Sequence, residues 1–128
     1  MITSKNPYTG EVIEEFKEYT KEEINNAIKK ADDRYKTWRK VSFSEKSKLL
    51  KNAAKELRDN KQSYAEDITK EMGKPIAQAL AEIEKCAWVC EYYAENAENH
   101  LANEIIETDA QKSYVSYDPI GIVLAILL

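Results

Sequence analysis

Apolar residues return along most of this chain at helical spacing, and the points where the spacing breaks mark the element ends. Val12, Glu14, Phe16 and Glu18 partly alternate behind the turn residues Asn6-Pro7-Tyr8-Thr9-Gly10, which predicts a half-buried strand over 11–19 or a hairpin at this end. Thr20 and Glu23 have capping-box spacing, and Ile24, Ala27, Ile28, Ala31, Tyr35 and Trp38 follow on one face, so a first helix is expected over 20–39. Ser42 and Glu45 repeat the device before Leu49, Leu50, Ala53, Ala54 and Leu57, which predicts a second helix over 43–59. A third, over 61–72, carries Tyr64, Ala65, Ile68 and Met72 on one side and meets Gly73, a residue suited to ending it. Pro75 then opens a fourth, over 75–101, in which Ile76, Leu80, Ile83, Ala87, Cys90, Ala94, Ala97 and Leu101 step by four and three. Trp88, Val89 and Tyr92 lie off that seam, so the fourth helix is expected to be contacted on a second side. Residues 102–111 read as a polar loop, 114–118 as an alternating strand, and 120–127 as an almost continuously apolar one.

A strand of the last kind belongs in a parallel sheet, whose neighbours are joined through crossover helices, and none follows here. The expected fold class is therefore α/β: part of a domain, mainly helical, with edge strands and a truncated parallel sheet. The alternative is a self-sufficient small helical domain under which the tail docks. With 128 residues there is room for one domain or less. Lys and Arg number 19 against 23 Asp and Glu, a net charge of -4, so no field draws in a phosphate backbone and nucleic acid is not an expected partner. The apolar tail falls short of the roughly 20 residues a membrane helix needs, and residues 1–10 lack a secretory pattern, so no membrane and a cytoplasmic setting are expected. Cys86 and Cys90 stand four apart in a helical pattern, where bonding would strain them, and they read as reduced, buried or half-buried structural thiols.

In order along the chain stand Asn6-Pro7-Tyr8-Thr9-Gly10-Glu11, Trp38, Leu49-Leu50, Glu71-Met72-Gly73-Lys74-Pro75, Ala81-Glu82-Ile83, Tyr92-Tyr93-Ala94-Glu95 and Tyr117-Asp118-Pro119-Ile120-Gly121-Ile122-Val123-Leu124-Ala125-Ile126. Together these resemble the N-terminal segment of the aldehyde dehydrogenase superfamily. The residues from Gly73 to Ala79 and from Cys90 to Glu95 most resemble the succinate-semialdehyde type. One departure is Lys46, where the family more often has arginine.

The resemblance implies part of a Rossmann-like NAD(P)-binding domain, whose complete enzyme takes NAD or NADP and oxidises succinate semialdehyde to succinate. In the family a cysteine thiolate attacks the aldehyde and a glutamate activates water for hydrolysis of the thioester. Neither residue's context maps onto this sequence. No catalytic residue is assigned, and the chain alone is expected to be inactive and to bind no cofactor. Ile126 and Leu127 would at most brush the cofactor. Lys85, Trp88, Val89 and Tyr92 are implied as part of the wall of the tunnel that brings in the small aldehyde, with Lys85 a cation suited to a substrate carboxylate. Tyr114, Val115, Ser116, Tyr117 and Asp118 match the small sheet that joins subunits, which implies self-association or association with the remainder of the enzyme. A free-standing helical interaction or scaffold protein, or one half of a split enzyme, stands as the alternative.

Other candidate chemistry reads as structure. Cys86 and Cys90 have no histidine, arginine or helix N-terminus placed to activate them. His100 lies about 15 Å along the helix from Cys90, too far to share a metal ion. Glu71, Glu82 and Glu84 each lie beside lysines and read as solvated helix charges. The eight tyrosines, without a basic groove, read as packing and interface residues.

Overall fold

A computed structural model describes residues 1–126. It opens with an antiparallel hairpin in which β1 (Ile2–Lys5) pairs with β2 (Val12–Phe16), Ile2 opposite Phe16, with an irregularity between Ser4 and Lys5. Asn6 makes the turn. Its Oδ1 accepts from the backbone N–H groups of Tyr8 at 2.9 Å and Thr9 at 3.2 Å, and its own carbonyl accepts from Gly10. Gly10 sits at φ +76°, where a side chain would be strained.

Four helices follow: α1 (Lys21–Trp38), α2 (Phe43–Asp59), α3 (Lys61–Met72) and α4 (Ile76–His100). Both capping boxes form. Thr20 Oγ1 accepts from the Glu23 N–H at 3.2 Å while Glu23 Oε2 accepts from the Thr20 N–H at 2.7 Å, and Ser42 and Glu45 exchange the same bonds at 3.2 and 3.3 Å. Gly73, at φ +68°, closes α3 by donating to the Thr69 carbonyl. Beyond α4, β3 (Glu104–Ile105) pairs antiparallel with β4 (Tyr114–Val115).

The described residues correct the expectation at both ends of the chain: β2 is exposed along its whole length instead of half-buried, and two stretches beyond α4 differ. Residues 102–111 are not loop throughout, because Glu104 and Ile105 supply the partner that β4 requires. Residues 120–126 form no strand, since a strand exists only with a ladder partner and none is present among the described residues. The pattern there reflects the cover such a segment would have, which these residues do not provide. Leu127, the last residue of that expected strand, lies outside the described residues.

α2 and α3 both pack on α4, and they do so over a small core: Ala54, Ala65, Ala79, Ile83 and Ala87. α1 buries none of its residues, and the apolar stripe expected on it leaves Ile24 and Ile28 in solvent. The accessible surface is 10702 Å², whereas a compact monomer of 14.7 kDa exposes about 6,900 Å². Many large apolar side chains are among the exposed residues, Tyr8, Ile120 and Leu124 the most open of them.

Charged groups tie the helices where apolar packing is thin. Arg58 on α2 donates from Nε to Glu84 Oε1 at 2.8 Å and grips Glu91 with both terminal nitrogens, while Lys61 on α3 reaches the other oxygen of Glu84 at 3.1 Å. Hydrogen bonds from Arg58 are the first cause holding both Glu84 and Glu91 below the usual carboxylate range.

Two outcomes follow. Ile83 is 6% exposed and is the one large aliphatic residue in the core, so Ile83→Ala should cost about 2–5 kcal/mol, read as a lowered midpoint in a thermal melt followed by circular dichroism. The depressed carboxyls of Glu84 and Glu91 make their stabilisation present above the ordinary value of 4.5 and lost as pH falls below it. An acid titration should therefore loosen α2 and α3 from α4 below that pH, and Arg58→Met should shrink that transition.

Candidate functional site

α4 places its chemistry by helical phase. Ala79, Ile83 and Ala87 point into the core, which turns Lys85, Trp88 and Tyr92 to the opposite, outer face. Trp88 is 60% exposed, and its ring stands 6.3 Å from that of Tyr92, which in turn meets His100 edge-on at 5.9 Å. The four residues expected to wall a tunnel share this face but divide between two hollows. Lys85 and Val89 lie in a shallow groove of about 740 Å³ with Lys74, Gln78, Ala81, Glu82, Cys86 and Cys90. Trp88 and Tyr92 border a neighbouring hollow of about 580 Å³ with Lys51, Glu91 and Glu95. Three of the groove's further members, Gln78, Ala81 and Glu82, stand seven, four and three positions before Lys85, so extending its stripe backwards along the helix would have found them.

Cys86 is exposed and Cys90 is half-buried. The expectation of a buried or half-buried thiol fails at Cys86 because that position lies one residue, a quarter-turn, off the core column that ends at Ala87. Of the acids read as solvated helix charges, Glu71 and Glu82 are exposed and Glu84 is half-buried. Glu82 pairs with Lys74, Glu84 with Arg58 and Lys61, and Glu71 accepts from Ser4 Oγ at 2.7 Å. Adjacent residues on a helix do not face each other, so the partners come from other elements or from several residues away.

A third hollow, of about 780 Å³, lies between the end of α1, the start of α2, the last turns of α4 and residues 117–119. Lys46 borders it with its ammonium 5.6 Å over the Trp38 ring and 5.7 Å over Phe43, a cation–π use that lysine meets without the arginine fork. Tyr35 Oη donates to the Pro119 carbonyl at 2.7 Å and so holds the chain as it leaves this hollow. Tyr117 Oη donates to Glu104 across the β3–β4 pair. Tyr114, Val115 and Tyr117 are exposed, as are Ser116 and Asp118, and the outer edge of β4 is unpaired among the described residues.

Of the two residues expected near a cofactor, Leu127 lies outside the described residues and Ile126 is an exposed aliphatic side chain. No group of three or more His, Cys, Asp or Glu among them is arranged to hold a metal ion, and no helix among them is long and apolar enough to cross a membrane.

The aldehyde dehydrogenase family model matches residues 1–127. The chain is 37% identical, over 98% of its own length, to a probable NADP-type succinate-semialdehyde dehydrogenase of Synechocystis, of which it spans 28%. It is 36% identical, over 97% of its length, to the NAD(P)-type succinate semialdehyde dehydrogenase Sad of Escherichia coli, of which it spans 27%. Its fold superposes with a TM-score of 0.82 on a succinic semialdehyde dehydrogenase of Streptococcus pyogenes in complex with NADP+, at 34% identity, covering 88% of this chain and 25% of that one. The helices, the two hairpins and the sequence match point the same way: the chain belongs to the aldehyde dehydrogenase family.

Proposed function

We propose that this chain is the N-terminal part of an NAD(P)-dependent succinate-semialdehyde dehydrogenase, in which it serves as scaffold for the cofactor-binding domain, and that the complete enzyme oxidises succinate semialdehyde to succinate. The observation that carries the reading is identity of 37% and 36% to two enzymes of that name across nearly all of this chain, which spans only 28% and 27% of their lengths. The uncovered surface supports it physically. A chain whose largest apolar residues stand in solvent is built to be covered by other parts of a larger protein.

The role of the individual surfaces follows from this reading. The outer face of α4, with Lys85, Trp88, Val89 and Tyr92, walls the passage for the aldehyde. Tyr114 to Asp118 present the strand edge that meets another subunit. Ile126 and Leu127 approach the cofactor without supplying its cradle, which comes from other segments of the enzyme. The alternative of a free-standing helical interaction protein requires the apolar tail to fold under its own helices. Against this, Ile120 is 93% and Leu124 84% exposed. A split enzyme, with this chain as one half, makes the same physical demand for a covering partner.

The complete enzyme carrying this segment should oxidise succinate semialdehyde with a higher kcat/KM than butanal, whereas the chain alone should yield no reduced cofactor from succinate semialdehyde with NAD or NADP. Turnover by the isolated chain would overturn the scaffold role. The isolated chain should also self-associate through its bare strand edge and tail, since each large aliphatic residue fully buried contributes about 1.5–3 kcal/mol against an association cost of several kcal/mol. Sedimentation should show removal of residues 120–128 shifting it toward monomer with its helical content kept. Loss of the helices on that deletion would favour the self-sufficient domain.

A further inference from the structure

The groove on the outer face of α4 contains two cations in different situations. Lys74 Nζ is bonded to Glu82, the one acidic residue lining the groove. Lys85 lines the same groove and has no ion-pair or hydrogen-bond partner among the described residues. Two carboxylates lie close to it along α4. Glu84 has both oxygens taken by Arg58 and Lys61. Glu82, three residues before Lys85 and so within reach on a helix, is turned to Lys74 instead. The surfaces beside Lys85 are apolar at Ala81 and Val89. An unpaired ammonium next to an apolar wall suits a short aliphatic ligand that ends in a carboxylate, and the charge attraction gains strength as water is excluded.

We infer that Lys85 recognises the distal carboxylate of the aldehyde substrate, and that the Lys74–Glu82 pair keeps its ammonium free to do so. This rests on the succinate-semialdehyde reading and assigns a residue to the substrate selectivity that reading requires. Removing Lys74 releases Glu82, which then captures Lys85 from the same helix face and competes with the substrate.

The test is the ratio of kcat/KM for succinate semialdehyde to that for butanal, measured in the complete enzyme, because such a ratio does not depend on how much of each variant folds. Lys85→Met should lower it about tenfold, the worth of one charge-assisted contact, and Lys85→Arg should keep most of it. Lys74→Met should lower it in the same direction, and adding Glu82→Gln to that variant should restore it. For the wild type, added salt should raise KM for succinate semialdehyde and leave that for butanal in place. An unchanged ratio in Lys85→Met overturns the inference while leaving the function intact. A fall in Lys74→Met that Glu82→Gln does not reverse overturns the part played by the pair. A wild-type enzyme that treats both aldehydes alike brings down the succinate-semialdehyde reading itself.

Discussion

Where α2 and α3 meet α4, the residues they bury are Ala54, Ala65, Ala79 and Ala87, with Ile83 the single larger one. Helix separation is set by the side chains at the contact, and alanine lets the backbones come close. It also removes little apolar area from water, so the packing that defines the three-helix arrangement supplies only a small share of what holds a domain of this size together. The larger residues sit on the flanks. Leu49, Trp88 and Tyr93 remain exposed.

Charge takes over where apolar burial stops. The Arg58 fork spans α2 and α4 and its partner Glu84 also accepts from Lys61 on α3, so one carboxylate joins three helices. Its residues are each more than a third exposed, so solvent screens them and their main effect is on geometry. A planar guanidinium gripping a carboxylate with two nitrogens fixes angle as well as distance. That fixes the rotation of α4 about its axis, and with it which residues face outward.

The family, and the likeness to succinate-semialdehyde dehydrogenases, were legible from motifs read in order, and both capping boxes from Thr20, Glu23, Ser42 and Glu45, because these signals are local in sequence. Long-range partners were not legible. Nothing in the spacing of Glu84 reveals Arg58, and a polar stretch such as 102–111 reads as loop unless the position of β4 is already known. The groove lay halfway between these cases. Val89 was evident as an off-seam position and Lys85 only through the family resemblance, but Lys74 joins them from before the start of α4, and the exposure of Cys86 depends on a quarter-turn of phase that apolar spacing does not resolve. The apolar run at 120–127 misled for a different reason. Hydrophobicity reports the environment a segment is suited to, and among the described residues that environment is absent.

Gly73 joins α3 to α4 in a left-handed conformation, and a side chain added there would come within 3.1 Å of Pro7 in the turn of the N-terminal hairpin. Ser4 of the same hairpin is bonded to Glu71 at the end of α3. The hairpin is thus seated against the joint from which α4 departs, at Glu71 and at Gly73. A residue with a side chain at position 73 would therefore press on the hairpin turn as well as strain the bend, so one glycine serves both the helix joint and the seat of the hairpin.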